Sequence, residues 1–209
     1  MTAGRGYAGR RAVCAILGYS GLRVSELCDL KLGQVRVHDP NGARFLVADS
    51  KTETDIREVQ MSPDLVEAVV EHIDRLRRAG HPTDPTAHLV QNVQGGRISR
   101  QRVGQIVSEA SKAAGAHLVA KGLPPLPRTT PHTMRRTYIS LALVSNNFDV
   151  KWVMGQVGHA NSTMTLDVYA QLEQRVKRDH GVRFDKLVRS GRTQLEEAPA
   201  ELARALEAV

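Results

Sequence analysis

Apolar positions along this chain fall into two kinds of run. Residues 10–21 (RRAVCAILGYSG) hold an apolar stretch that reads as a buried helix closed by Gly21, and a second short helix follows at about 23–31. Residues 44–49 (RFLVAD) and 56–61 (IREVQM) are short β-type runs, and the polar stretch 50–55 between them predicts a hairpin. Ser62 and Pro63 supply an N-cap and a first-turn proline for a helix over 63–79, stopped by Gly80. Residues 81–98, rich in Pro, Thr and Gly, read as loop. A helix over 99–114 follows, with Ser99 as cap and Gly115 as stop, and 121–131 is loop again. Helices over 131–145, 149–157 and 162–176 complete the pattern. A further one is suggested at 194–208, where Leu195, Leu202 and Leu206 recur at roughly helical spacing, although Pro199 argues against an unbroken helix. The sum is a mainly α fold carrying a small antiparallel β-sheet, in the α+β class, with no internal repeat.

Composition narrows the field. At 209 residues the chain is long enough for one domain with a real core, or for one domain with an appendage. No stretch approaches the ~20 apolar residues that a membrane span needs, and the N-terminus lacks the apolar segment of a signal peptide. These features favour a soluble, cytoplasmic protein. Cys14 and Cys28 lie inside apolar runs without metal-type spacing and read as small core residues, not as a disulfide or a zinc site.

Charge changes the picture more. The net charge is +7, and of the 29 Lys and Arg residues 22 are arginine. The planar guanidinium can donate two bonds to one phosphate, so this balance points to a polyanion, nucleic acid being the commonest. Residues 194–209 carry four glutamates against one arginine, which leaves +10 on residues 1–193.

Several residues then stand out as candidate chemistry. Arg23 in GYSGLRVSEL must pair with Glu26, reach water or find an anion. Lys51 sits at the predicted hairpin tip in DSKTETD, where a lysine is either simply solvated or placed for function. In RTTPHTMRRT, Thr130 can cap a helix whose first position is Pro131, which puts His132 in the first turn with Arg135 three residues on, facing the same way. A helix N-terminus presenting a histidine and an arginine is a phosphate site, or no more than a capped surface helix. In GQVGHANSTMTLDVYAQL, Gly158 ends a helix, His159 follows in the turn, and Ser162 can cap a helix carrying Tyr169, a residue type that on such helices mostly packs.

Taken in order, these residues resemble the signature of the tyrosine recombinase (phage integrase) family over roughly residues 8–172. GLRVSEL is similar to that family's first arginine box, HTMRRT to its His-x-x-Arg box, and VGHANSTMTLDVY to its Gly-His and tyrosine box. The resemblance implies a catalytic domain over 1–180 that cuts and rejoins double-stranded DNA, with a C-terminal tail over 181–209 that either docks a helix on a neighbouring protomer or is a frayed or self-packed acidic tail. Family members carry a further helical DNA-binding domain ahead of the catalytic one. Only 22 residues precede Arg23, so the expectation here is that this core-binding domain is absent.

The resemblance makes Tyr169 the nucleophile, forming a 3′-phosphotyrosyl link, and Arg23 and Arg135 the clamps on the non-bridging oxygens. His132 and His159 donate further hydrogen bonds, and Lys51 protonates the leaving 5′ oxygen. Glu26 orients a histidine or arginine. Arg97, Arg100, Arg102 and Arg128 are candidate DNA-backbone contacts from charge and position. No cofactor and no metal are expected, and the family works as a homo-tetramer on DNA, bacterial or phage-encoded. Two alternatives stay open: a type IB topoisomerase-like strand transferase, which the short hairpin and the GLRVSEL wording fit less well, and a catalytically idle DNA-binding remnant of a mobile element. A metal-dependent nuclease is disfavoured, since no carboxylate cluster of metal-ligand character appears.

Overall fold

Helix α1, over Arg10–Ser20, buries Ala12, Val13, Ile16, Leu17 and Ser20, the spacing of one face of an amphipathic helix. These positions come from the computed structural model, which describes residues 9–49, 52–147, 149–158, 166 and 168–170. The chain divides into two compact units, Met1–Val168 and Tyr169–Val209. All the elements named below lie in the first.

Gly21 closes α1 in the left-handed conformation (φ +63°), and α2 follows over Val24–Asp29. A 3-10 turn over Leu32–Gln34 leads into a three-stranded antiparallel sheet of β1 (Val35–Arg36), β2 (Arg44–Asp49) and β3 (Thr52–Gln60), in the order β1-β2-β3. The β2–β3 hairpin agrees with the sequence pattern, with two differences. Its second strand begins at Thr52, four residues ahead of the expected start at 56. The polar residues 52–55 carry no apolar alternation that would mark them as strand. Strand β1 was not anticipated at all, because two residues are too short to show a period.

Helix α3 (Pro63–Arg78) starts as expected, with the Ser62 hydroxyl accepting from the Leu65 N–H at 3.4 Å and proline in the first turn. Helix α4 corrects the sequence reading. It runs Arg100–Ala120, straight through Gly115, which is buried and did not stop it. A mid-helix glycine costs about 1 kcal/mol relative to alanine, which the neighbouring Ala113, Ala114, Ala116 and Leu118 offset. The helix ends instead at Gly122 (φ +73°), where the Gly122 N–H donates to the Val119 carbonyl and the Leu123 N–H to the Leu118 carbonyl. Helices α5 (Pro131–Ser145) and α6 (Val150–Val157) match expectation. Thr130 caps the first through the Thr133 N–H at 3.1 Å, and Gly158 (φ +65°) closes the second.

The core joins α1, α2, the inner face of the sheet, α3 and α4 through Ile16, Leu27, Phe45, Val59, Leu65 and Ile106. Helix α1 packs on α3, α4 and α5, while α6 packs on α5 and on β3. Cys14 and Cys28 are free thiols, Cys28 buried in the core. Among the described residues no helix is long and apolar enough to cross a membrane. Leu166 and residues 168–170 are helical; the remainder of the 162–176 expectation, and all of 194–208, lies outside the described residues.

Candidate active site

Four segments far apart in sequence converge where α1 gives way to α2. Arg23 occupies the N-cap of α2 with extended backbone (φ −68°, ψ 150°). Glu26, one turn later, reaches back to accept the Arg23 backbone N–H at 2.7 Å through Oε2, and takes the Arg23 Nη1 at 2.7 Å through Oε1. A carboxylate in the first turn also meets the positive end of the helix dipole. The second Arg23 nitrogen, Nη2, donates to the Gly158 carbonyl at 2.6 Å. The Arg23 side chain nevertheless remains 41% exposed.

Arg135, in the second turn of α5, is only 4% exposed. Its Nη1 donates to the Gly21 carbonyl and its Nη2 to the Val157 carbonyl at 2.7 Å. Both oxygens belong to residues at the left-handed ends of helices, where carbonyls lack helical partners. Among the described residues no carboxylate lies within salt-bridge distance of Arg135. Burial, joined by the nearby Arg23 charge, pushes its guanidinium down to about 10, which still leaves it protonated at neutral pH. A buried cation bound only to neutral oxygens is positioned to be stabilised by an incoming anion.

Sequence reasoning missed Arg57. It lies on β3, opposite Val47 in the ladder and on the same inward face as Val59. Its Nη1 and Nη2 grip the two Glu26 oxygens at 3.1 and 2.8 Å, and its Nε donates to the Gln156 carbonyl at 3.2 Å. A signal was available. In β3 the inward parity runs through 57 and 59, so an arginine stood where an alternating strand buries its side chains. Ile56, on the opposite face, is 59% exposed. Burial alone would raise the Glu26 carboxyl, but Arg57 and Arg23 together hold it below the usual carboxylate range.

The remaining candidates stand as follows. His132 sits in the first turn of α5 and is exposed, whereas Arg135, three residues on, is buried. Tyr169 is half-buried within a helical stretch of the second unit. Lys51 and His159 lie outside the described residues. Arg97 pairs with Asp29 (2.5 Å), and Arg102 reaches Gln105 and Glu109 at 3.1 and 3.3 Å, so both already hold side-chain partners. Arg100 and Arg128 are exposed. Among the described residues no three His, Cys, Asp or Glu side chains gather as a metal site.

Residues 3–175 match the model of the phage integrase family. The chain belongs to the phage integrase family. This integrase-family chain is 30% identical over 162 residues to the tyrosine recombinase XerC of Corynebacterium efficiens, covering 77% of this chain and 46% of that protein. It is also 30% identical over 159 residues to the tyrosine recombinase XerD of Mycobacterium tuberculosis, covering 74% and 45%. The chain thus spans about half the length of the curated relatives it matches. Among solved structures it is similar to the XerA recombinase (TM-score 0.63, 24% identity, 82% of this chain and 56% of that one). It is also similar to the XerH site-specific recombinase bound to its difH substrate in a pre-cleavage complex (TM-score 0.59, 17% identity, 82% and 47%). At these identities the structural likeness shows the fold, and the fold agrees with the mainly α reading with one small antiparallel sheet.

Proposed function

We propose that the chain is the catalytic part of a site-specific recombinase that cleaves and rejoins double-stranded DNA through a 3′-phosphotyrosine intermediate. The observation that carries this reading is the meeting of Arg23 and Arg135, 112 positions apart in sequence, at the carbonyls of Gly21, Val157 and Gly158. Two guanidinium groups anchored on neighbouring carbonyls, one buried and one partly open, offer paired donors to a diester phosphate. Their charges count for most as the phosphate becomes pentacovalent and gains negative charge.

In this reading the Tyr169 hydroxyl oxygen attacks phosphorus and the bond to the 5′ oxygen breaks. The tyrosine proton passes to a base, for which His132 at the open rim of α5 is the nearest histidine in sequence to Arg135. Lys51 gives a proton to the departing 5′ oxygen, and His159, next in sequence to Gly158, adds a hydrogen bond to the phosphate. The phosphotyrosyl bond keeps the energy of the broken diester, so a 5′ hydroxyl can reverse the step and reseal the strand. Glu26 orients Arg23. Arg100 and Arg128, exposed beside loops, serve the DNA backbone more readily than Arg97 and Arg102, which are already paired. Residues 1–180 form the catalytic region in this account, residues 181–209 a tail that engages a second protomer of a tetramer on DNA, and the enzyme works in the cytoplasm on bacterial or phage DNA.

The test is a nicked duplex from DNA flanking the parent gene, built so that the cleaved end diffuses away and resealing fails. A covalent protein–DNA adduct on a denaturing gel, formed without divalent metal, is the expected result. Tight DNA binding with no adduct under any condition would overturn the strand-transferase reading.

A further inference from the structure

Arg57 is the one buried cation of this cluster that the proposed chemistry leaves without a task. All three of its guanidinium nitrogens are engaged and, unlike Arg135, it spends its charge on a carboxylate, that of Glu26. Its partners lie on two different elements. Two nitrogens hold Glu26 of α2, and the third holds the Gln156 carbonyl at the end of α6. The same α6 residue returns the contact, since the Gln156 side-chain oxygen accepts the Gln60 N–H of β3 at 2.9 Å. Gly158 lies flat against this guanidinium: a Cβ there would fall 2.7 Å from the Arg57 Cζ and Nη1.

We infer that Arg57 is a positioning residue for the recombinase reaction, fixing Arg23 through Glu26 while locking the hairpin strand to the end of α6. Both Glu26 oxygens are shared between Arg57 and Arg23, so the carboxylate cannot swing toward one without loosening its grip on the other. The Arg23 fork is anchored at its other nitrogen by the Gly158 carbonyl, and the carbonyl two residues earlier, that of Gln156, is held by Arg57. Arg57 therefore sets where Arg23 points from both sides. It also ties β3, which follows Lys51 in sequence, to the end of α6, which precedes His159 in sequence. A bidentate ion pair suits this task because the planar fork fixes direction as well as distance.

The inference rests on the recombinase reading, and its test keeps the two apart. The full chain carries Arg57→Met, which keeps the stem and removes the fork, or Arg57→Lys, which keeps only the charge. Adduct formation on the nicked duplex is followed at saturating DNA, with DNA affinity and the circular-dichroism melt measured alongside. Adduct formation should slow by about 10–100-fold in both variants, as expected for a misplaced catalytic group, while the Kd for the duplex stays within about threefold. Lysine should not rescue, and adding Glu26→Gln to Arg57→Met should slow the reaction no further than the slower single variant, since both act through one bridge.

A second readout needs neither DNA nor activity. Clamped Arg23 should show separate, slowly averaging guanidinium Nη signals by NMR, and these should merge in Arg57→Lys, which also serves if Arg57→Met fails to fold. An adduct rate within about twofold of wild type, full rescue by lysine, or unchanged Arg23 signals would overturn the positioning role. A wild-type chain that forms no adduct would instead defeat the recombinase reading, and the Arg23 signals would then decide the role of Arg57 alone.

Discussion

Replacing Gly21 by alanine should be among the most damaging single-methyl changes available in this chain, and its cost has two separable parts. Gly21 sits at φ +63°, where a side chain costs about 1–2 kcal/mol. A Cβ there would also lie 2.3 Å from Cδ1 and 2.8 Å from Cε1 of the Tyr138 ring on α5. These distances are far inside the ~3.5–4.0 Å optimum for carbon contacts, and relieving such overpacking costs about 1–3 kcal/mol. The sum is roughly 2–5 kcal/mol, and a domain of this size loses about 2–4 °C of Tm per kcal/mol, so the melt should fall by roughly 5–20 °C. Moving the ring or the backbone here also displaces the Gly21 carbonyl that holds Arg135, which ties the stability loss to the site. Urea unfolding followed by circular dichroism gives the free energy directly. The control is the same substitution in a Tyr138→Ala background, where only the backbone part, about 1–2 kcal/mol, should remain. A Gly21→Ala penalty below about 0.5 kcal/mol, or one of equal size in both backgrounds, would refute the assignment of the cost to the ring contact.

Other consequences can be checked beside it. Arg23→Ala and Arg135→Ala should each slow cleavage by about 10²–10³-fold, the loss of one charge-stabilising donor; wild-type rates in either would place the phosphate cleft elsewhere. Their melts should differ, because Arg23 is partly exposed while removal of Arg135 strips the donors from two carbonyls, at about 1–3 kcal/mol each if they stay dry. His72 gives a pH dependence. Its Nε2 lies 2.9 Å from the Leu89 carbonyl, its Nδ1 is buried without a hydrogen bond, and burial holds its pKa below the ordinary 6.5. The unfolded chain therefore takes up that proton first as pH falls, so this contribution is complete above 6.5 and is lost progressively below it. His72→Gln should flatten the dependence of Tm on pH between about 7 and 5, and an unchanged slope in that variant would contradict the burial argument.

Local signals carried most of the fold. Ser62 before Pro63, Thr130 before Pro131, and Gly21 and Gly158 after apolar runs each declare a helix end through backbone chemistry within four residues, and the structure places them there. Gly115 misled because a glycine signals a stop only when nothing beyond it favours helix, and Ala116, Leu118 and Ala120 do. Strand β1 was invisible because its two residues owe their conformation to pairing with Phe45 and Arg44, not to their own pattern. At the site, residue types and order were legible, since Arg23, Glu26 and Arg135 stand in recognisable boxes. What sequence does not carry is depth and partnership. Nothing local states that Arg135 is buried against two carbonyls, or that Glu26 is shared with an arginine 31 positions away, because both facts depend on how α5, α6 and the sheet meet.

The most direct test of the account asks which atom becomes bonded to DNA. The wild-type chain would be reacted with the nicked suicide duplex without divalent metal, the adduct digested with protease, and the DNA-linked peptide identified by mass. The account predicts a single peptide containing Tyr169 joined to the 3′ phosphate, a free 5′ hydroxyl on the released strand, and no adduct from Tyr169→Phe although that variant still binds the duplex. Attachment through another residue, or an adduct that persists in Tyr169→Phe, would contradict it.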